Sequence, residues 1–204
     1  VPEQQVQALV SVMVQKREEA NPQNLSNTLW AAATMGQAMR AGDWQLLLRS
    51  FVAKALQAIP QDLSIALWAA AKRKEDFVSV RLGQLAGAES ALLELAGAIS
   101  SEQVAAMDPQ AISNSLWALS ELRLRPPQLT LLLSDAARQL APPMEPQHLS
   151  NTALALAKLG CSDGWLFAVL ASAARNCAER LSPQHVCNIC WGWLWQTSSS
   201  CPRQ

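Results

Sequence analysis

Residues 22–36, PQNLSNTLWAAATMG, are the stretch of sequence that best indicates the fold. Apolar residues recur there with the spacing of an amphipathic α-helix, at Leu25, Leu29, Ala32 and Ala33. Pro22 suits the first turn of a helix, and Gly36 suits a helix C-cap. The stretch therefore predicts one short amphipathic helix.

The same pattern occurs five times in the chain. Each copy opens with Pro-Gln, at Pro22, Pro60, Pro109, Pro146 and Pro183. Successive copies are 38, 49, 37 and 37 residues apart, so the second repeat carries an insertion. Five copies in register identify the chain as a repeat protein with a period of about 38 residues.

Certain residue types recur at fixed positions, which we count from the proline as zero. Position 3 is Leu, Ile or Val, and position 4 is Ser, or Cys in the last copy. Position 5 is Asn except for Ile65, position 8 is Trp except for Leu154, and position 9 is Ala or Gly. The small residues at positions 4 and 9 predict that neighbouring helices approach closely.

A second apolar segment follows each copy and predicts a second helix in each repeat. We call the Pro-Gln helix of a repeat helix A and the following one helix B. The B segments of repeats 1, 3 and 4 are Trp44–Ala58, Gln128–Leu140 and Trp165–Leu181. The insertion, near residues 74–88, predicts a short extra helix. Because no segment alternates with a period of two residues, we expect no sheet.

Stacked A–B pairs predict an all-α fold, a single right-handed α-solenoid of antiparallel helix pairs over residues 1–204. The expected boundaries are helix B of a preceding repeat at 1–20, then repeats at 21–59, 60–108, 109–145 and 146–182, and part of a fifth at 183–204. We expect further repeats or a partner to cover the two ends.

Composition argues against several classes of protein. The 204 residues include 16 basic and 16 acidic ones, and half are apolar, which argues against a disordered chain and against a strongly basic nucleic-acid clamp. The longest uncharged stretch, between Arg180 and Arg203, contains polar residues and is too short an apolar run to span a membrane. Five cysteines, an odd number, do not suggest a disulfide framework.

The pattern Pro-Gln-x-Leu-Ser/Ala-Asn-Thr-Leu-Trp-Ala-x-Ala resembles the octotricopeptide repeat over nearly the whole chain. Residues 22–36 and 146–160 match best, whereas Ile65, Leu154, the stretched second repeat and the segment after Trp191 depart from it. The resemblance implies an α-solenoid that binds single-stranded RNA in a chloroplast or mitochondrion. Members of that family act in processing, stability, splicing or translation of organelle transcripts, and some are organellar ribosome subunits.

An α-solenoid of this kind contacts bases with side chains of its inner helices. Positions 2, 5 and 12 of helix A share one face, which we expect to be that surface. The candidate base contacts at positions 2 and 5 are Asn24, Asn27, Asp62, Asn114, His148, Asn151, His185 and Asn188. Two structural explanations stand beside this one: position 2 is a first-turn surface residue, and the recurrent asparagine bonds to the backbone of the neighbouring repeat.

Basic residues near the ends of the A helices form a candidate phosphate track, interrupted by Glu121. They are Lys72, Arg73, Lys74, Arg123 and Lys158. The alternative is that Lys and Arg favour helix C-termini because they interact well with the helix dipole.

Tryptophans fall into two groups. Those at position 8 share the phase of the Leu positions, so we expect them in the core: Trp30, Trp68, Trp117 and Trp191. Trp193 and Trp195 are peculiar to the last repeat, and we expect them to form an interface for a further repeat or a protein partner.

Residues with metal-binding or catalytic chemistry are few. His185, Cys187 and Cys190 resemble half a zinc site, with Cys201 as a fourth ligand, but both cysteines of the half-site occupy core-facing positions of the repeat. We therefore expect no metal and no cofactor. The chain has only two histidines and no catalytic motif, so we do not expect an enzyme.

The resemblance thus implies an RNA-binding helical-repeat protein of an organelle, with single-stranded RNA, either a transcript or ribosomal RNA, in the groove of the inner helices. The alternative is a structural scaffold subunit of a large organellar complex, such as a ribosome or a membrane-protein assembly. Zero net charge and the exposed terminal tryptophans favour the alternative.

Overall fold

Proline begins every A helix, because its ring holds φ near the helical value and its missing N–H costs no hydrogen bond in the first turn. The computed structural model describes residues 3–35, 39–74 and 85–199. Within them the A helices are α2 (Pro22–Thr34), α4 (Pro60–Lys72), α7 (Pro109–Leu122), α9 (Pro146–Leu159) and α11 (Pro183–Ser199). Each starts at the proline that predicted it.

The B segments are helical as well. They are α1 (Glu3–Gln15), α3 (Ala41–Val52), α5 (Leu85–Ala98), α8 (Pro127–Leu140) and α10 (Gly164–Asn176), and the short α6 (Ser101–Ala105) follows α5. Single 3-10 turns, Ala55–Gln57 and Ala178–Arg180, follow α3 and α10. Over the described residues the chain has eleven α-helices and no strand, which confirms the all-α class.

The chain folds as two compact units, residues 1–103 and 104–204. In the first unit α2 packs along α4 and also contacts α3, while α1 and α5 pack against α3. In the second unit α9 lies between α7 and α11. Helix α8 packs on α7, α10 packs on α9 and α11, and α8 and α10 contact each other. In both units the A helices therefore pack side by side.

Neighbouring A helices approach closely through small residues. Gly192, at position 9 of α11, lies on the backbone of Ala153, at position 7 of α9. A Cβ atom on Gly192 would be 2.8 Å from the carbonyl oxygen of Ala153 and 3.4 Å from the ring of Phe167. In the contact between α9 and α11, position 9 therefore packs on position 7 of the preceding A helix.

The serines at position 4 lie in the same contact. Ser26 and Ser113 are fully buried. The Ser26 hydroxyl donates to the carboxylate of Asp62 at 3.0 Å, and the Ser113 hydroxyl donates to the carbonyl oxygen of His148 at 3.3 Å. Both acceptors belong to position 2 of the following repeat. The expected close approach at positions 4 and 9 is confirmed.

Capping residues account for several helix ends. Asn21 and Asn24 form a reciprocal capping box at the start of α2, and Asp108 accepts from the N–H of Ala111 at 2.7 Å in α7. Gly160 ends α9 with φ of 83°, a left-handed conformation that glycine adopts without strain, as expected of a C-cap.

Several sequence predictions fall outside the described residues. Gly36, predicted as the C-cap of the first A helix, is one of them. Residues 75–84, most of the insertion that predicts a short extra helix, are another group, and Cys201 is a third.

Asp163 fixes the start of α10. Its carboxylate accepts from the backbone N–H groups of Trp165 at 3.0 Å and Leu166 at 3.1 Å, and it pairs with the guanidinium of Arg138. The Leu166 N–H, aided by Arg138, holds the pKa of Asp163 below its usual value. Arg138 in turn lies 4.8 Å from the ring centroid of Trp165. One carboxylate thus joins α10 to α8.

Replacing Asp163 tests this cap. Because the folded-state pKa is lowered, the carboxylate stabilises the fold above its unfolded pKa of about 3.9, and that contribution disappears as the pH falls through the folded-state value. We expect Asp163→Ala to lower the free energy of unfolding near neutral pH by about 1–2 kcal/mol. In urea unfolding experiments at a series of pH values, the deficit should shrink as the pH falls from neutral through the lowered pKa of the Asp163 carboxyl. A deficit independent of pH would contradict the assignment.

Replacing Gly192 tests the helix contact. Ala normally stabilises a helix interior relative to Gly, but here the new methyl group would meet the carbonyl oxygen of Ala153. We expect Gly192→Ala to destabilise the protein by about 1–3 kcal/mol in thermal or urea unfolding. The matched control is Gly97→Ala in α5, where a Cβ has nothing within 4 Å. It should be neutral or stabilising by up to about 1 kcal/mol, and equal effects of the two changes would argue against the contact.

Candidate nucleic-acid interface

The exposed stripe of each A helix consists of positions 1, 5, 8 and 12, which are four, three and four residues apart and so share one face. In α9, Gln147 and Lys158 are exposed, and Asn151 and Leu154 are half-buried. Position 2 lies beside the stripe, against the preceding A helix. Positions 5 and 12 therefore lie on the exposed stripe, whereas position 2 is buried or half-buried in α4, α7, α9 and α11, so the expectation that it shares this face is wrong there.

Position 2 shows the consequence. Asp62 is only 5% exposed, because its carboxylate accepts the Ser26 hydroxyl between α2 and α4. The prediction that Asp62 contacts a base is wrong for this reason. Asn24 is exposed, but its side chain belongs to the capping box of α2, and His148 is half-buried.

Side-chain amides repeat across the second unit. Glutamine occupies position 1 and asparagine position 5 on each of its three A helices, and we call this set the amide face: Gln110, Asn114, Gln147, Asn151, Gln184 and Asn188. The glutamines are exposed and the asparagines half-buried. In the first unit the set is incomplete, since Asn27 is exposed but Ile65 replaces the second asparagine.

Hydrogen bonds orient the amide face, beginning at the start of α11. The N–H of Ser182 donates to Nδ1 of His185 at 3.2 Å, so Nδ1 is an acceptor and the ring proton sits on Nε2. Nε2 lies 3.2 Å from Oε1 of Gln147, to which it donates. With its oxygen engaged, Gln147 donates through Nε2 to Oδ1 of Asn151 at 2.8 Å. The groups from Ser182 to Asn151 thus form one chain of hydrogen bonds, in which each group donates to the next.

The same bond recurs in α11, where Nε2 of Gln184 donates to Oδ1 of Asn188 at 2.9 Å. Asn151 and Asn188 therefore bond to the glutamine of their own helix. One explanation of the recurrent asparagine expected a bond to the backbone of a neighbouring repeat instead, and these two residues do not follow it. In both residues the oxygen is used as an acceptor. This leaves the NH₂ group of each asparagine to donate at the surface.

The tryptophans at position 8 are only partly covered by neighbouring helices. Trp191 is 42% exposed and stacks on Trp195, with ring centroids 5.3 Å apart and an interplanar angle of 18°. Trp30 is also exposed, and Trp68 and Trp117 are half-buried. The prediction that all four are core residues is wrong, because position 8 lies at the edge of the exposed stripe, where a neighbouring helix covers only part of an indole.

Trp193 and Trp195 do not form one surface. Trp193 donates through Nε1 to the carbonyl oxygen of Phe167 in α10 at 3.2 Å, whereas Trp195 stacks on Trp191. Both remain exposed, by 41% and 47%. As positions 10 and 12 of one helix they point about 160° apart.

The candidate phosphate track is not continuous. Arg73 is 7% exposed and donates to the carbonyl oxygens of Met39 at 3.0 Å and Ala32 at 3.5 Å, so its assignment to a phosphate is wrong. Lys72 lies 5.3 Å from the ring centroid of Trp68, and Lys158 pairs with Glu121 at 2.7 Å.

The remaining two basic residues differ in exposure. Lys74 is half-buried, whereas Arg123 is exposed and ends α7 with φ of 57°. Of the five candidate cations, Arg73 thus bonds to the backbone, Lys72 lies over a tryptophan and Lys158 pairs with a carboxylate.

The cysteines of the half zinc site lie at the surface. Cys187 and Cys190 are exposed, which corrects the expectation that they face the core, because no described helix covers that side of α11. Over the described ranges, no group of three His, Cys, Asp or Glu side chains is arranged to hold a metal ion. No helix in this part of the chain is long and apolar enough to cross a membrane.

Two parts of the surface were missed from the sequence. The glutamines of the Pro-Gln signature are one, and the exposed Trp191 is the other. The signal for the glutamines is their spacing, because position 1 lies four residues before the asparagine of position 5 and so on the same face.

Comparison with known proteins adds nothing to these observations. No protein-family model matches the chain, and no curated protein matches it significantly.

Replacing Asp62 separates a structural role from an RNA-binding one. Asp62→Ala removes the acceptor in α4 and leaves the buried Ser26 hydroxyl only the carbonyl oxygen of Gln23, at 3.2 Å, so we expect the free energy of unfolding to fall by about 0.5–1.5 kcal/mol. A double-mutant cycle with Ser26→Ala should give a coupling of about 0.5–3 kcal/mol. RNA affinity should be the same as that of the wild type under conditions where both are folded. Unchanged stability with lower RNA affinity would restore Asp62 as a base contact.

Proposed function

We propose that the chain is a right-handed α-solenoid of octotricopeptide type that binds single-stranded RNA in an organelle, either chloroplast or mitochondrion. The bases would lie on the amide face of the second unit, where repeats 3, 4 and 5 follow one another without an insertion. The observation that carries the proposal is the directed chain of hydrogen bonds from Ser182 to Asn151. At the end of this chain the amide oxygen of Asn151 accepts from Gln147, so the NH₂ group of Asn151 remains to donate at the surface.

Amide donors suit bases more than phosphates. Nucleobases present carbonyl and ring-nitrogen acceptors on their edges, and single strands leave those edges accessible. Because their oxygens already accept from glutamines, Asn151 and Asn188 lack the free acceptor that an asparagine uses for the amino group of adenine, and their NH₂ groups favour a base that presents carbonyl oxygens. Uracil has two such oxygens and adenine has none. We therefore propose that this surface prefers uracil to adenine.

An exposed aromatic surface adds stacking to these hydrogen bonds. Trp191 lies one turn beyond Asn188 on the same stripe, and its indole is held by the stack with Trp195. Stacking of a base on an aromatic side chain contributes about 1–3 kcal/mol and depends little on base identity. Trp191 would thus supply affinity, and the asparagines would supply preference.

Charge contributes little to the proposed binding. Lys158, the cation on the exposed stripe of α9, is paired with Glu121, and the net charge of the chain is zero. Since each phosphate contact to a single strand adds about −0.7 to the slope of log K against log salt, we expect a slope of about −1 to −2. A strongly basic RNA-binding surface would give a steeper one.

A scaffold subunit of a large organellar complex, such as a ribosome or a membrane-protein assembly, is the second candidate. It is favoured by exposed apolar side chains on the B helices, including Trp165, which is 67% exposed on α10, and Leu131, which is 62% exposed on α8. Such residues would contact protein partners.

The amide face is tested with short RNA oligomers of equal length. We expect oligouridine to bind more tightly than oligoadenine, and Asn151→Ala with Asn188→Ala to weaken oligouridine binding by about tenfold because two hydrogen bonds are lost. Fluorescence anisotropy at two salt concentrations measures both affinities and the slope. Asn176→Ala, at an exposed position of α10, is the matched control and should leave affinity unchanged.

The RNA proposal fails if no oligomer binds at low salt. It also fails if the Asn176 variant loses as much affinity as the double variant, since the loss would then not belong to the amide face. In either case co-purification with protein partners becomes the test of the scaffold.

A further inference from the structure

One side of α11 repeats a surface that is buried elsewhere in the fold. Positions 4, 7 and 11 of an A helix pack against the next A helix. In α9 these are Ser150, Ala153 and Ala157, each buried. In α11 they are Cys187, Cys190 and Leu194, all exposed, and Leu194 is 68% exposed.

Helix α2 exposes the complementary surface, the one with which an A helix packs on the preceding A helix. Positions 6, 9 and 13 of an A helix pack against the preceding A helix and are buried in α9, at Thr152, Ala155 and Leu159. In α2 the same positions are Thr28 and Ala31, which are half-buried, and Met35, which is 48% exposed. This side of α2 lies about 180° around the helix from positions 4 and 11.

The register between A helices shows how these two surfaces would fit. Position 9 packs on position 7, as Gly192 does on Ala153, and position 2 meets position 4, as Asp62 meets Ser26. In the same register Ala31 would lie on Cys190, and Asn24 would meet Cys187. Ala31 has the small side chain that this close approach requires.

Electrostatics favour the contact as well. From Pro22 to Thr34 and from Pro183 to Ser199 there is no Asp, Glu, Lys or Arg. Neither helix would therefore bring a charge into the contact, and an unpaired buried charge is costly. Packing α2 on α11 would also remove exposed apolar side chains such as Leu194 from water.

We propose that two copies of this chain associate head to tail, with α11 of one copy packed on α2 of the next in the register of successive A helices. The contact uses different surfaces on the two copies. Each bound copy still presents its own α2 or α11, so the association extends to longer oligomers and does not stop at a symmetric dimer. This inference depends on the repeat register and is independent of RNA binding.

Two substitutions, one on each surface, test the proposal by sedimentation velocity without RNA. The average mass of the wild-type chain should rise with concentration from the low micromolar range upward. Leu194→Glu on α11 and Ala31→Glu on α2 should each raise the dissociation constant at least about tenfold, because each places a charge in an apolar contact. Leu131→Glu, at a similarly exposed leucine of α8, is the matched control and should associate like the wild type.

Mixing the two variants gives the decisive result. The Leu194→Glu chain keeps an intact α2, and the Ala31→Glu chain keeps an intact α11, so an equimolar mixture should form a one-to-one dimer that grows no further. Circular dichroism checks that both variants fold, and Met35→Glu serves as a second α2 variant should Ala31→Glu unfold. A wild-type chain that stays monomeric at every concentration overturns the proposal. Self-association that survives either substitution, or a mixture that remains monomeric, overturns it equally.

Discussion

The close contact between successive A helices is the constraint on which the remaining structure depends. Small residues at positions 4 and 9 bring the helix backbones together, and Gly192 lies so near Ala153 that a methyl group would not fit. Buried serines at position 4 bond across the contact, to Asp62 in one unit and to the backbone of His148 in the other. Within each unit, equivalent residues of neighbouring A helices therefore come to lie side by side.

That alignment gives the amide face its chemistry. Gln147 and His185 are 38 residues apart in sequence, and the packing of α9 on α11 brings them within hydrogen-bond distance. The backbone N–H of Ser182 then fixes the ring proton of His185, and this fixes the orientation of two amides on the adjoining helix. The repeated Gln and Asn residues thereby form a surface on which the NH₂ groups of the asparagines are the donors. In the proposed complex with RNA, recognition by this surface would depend on base edges and stacking more than on net charge.

Two of the described cations, Arg73 and Lys54, bond to carbonyl groups of the protein's own backbone. Arg73 donates to the carbonyl oxygens of Ala32 and Met39 and lies over the ring of Trp44, with 5.2 Å from the guanidinium carbon to the ring centroid. Lys54 donates to the carbonyl oxygens of Glu18 at 2.8 Å and Ala20 at 2.6 Å. Charge-assisted bonds of this kind satisfy carbonyl groups beyond helix ends, which have no partner within a helix. A cation near a helix end is thus weak evidence for a phosphate site.

The sequence by itself determined the helices, their starting prolines, the repeat length and the small residues of the A-helix contact, because helical periodicity and proline geometry are local properties. It also indicated that Asn151 and Asn188 occupy equivalent positions. Only the tertiary structure decided which arc of each A helix a neighbour covers, since that depends on contacts between residues one repeat apart. For this reason Asp62 is buried although its position is polar, and Trp191 is exposed although its position resembles a core one. Periodicity gives the phase of a side chain around its helix, whereas burial depends on what packs there.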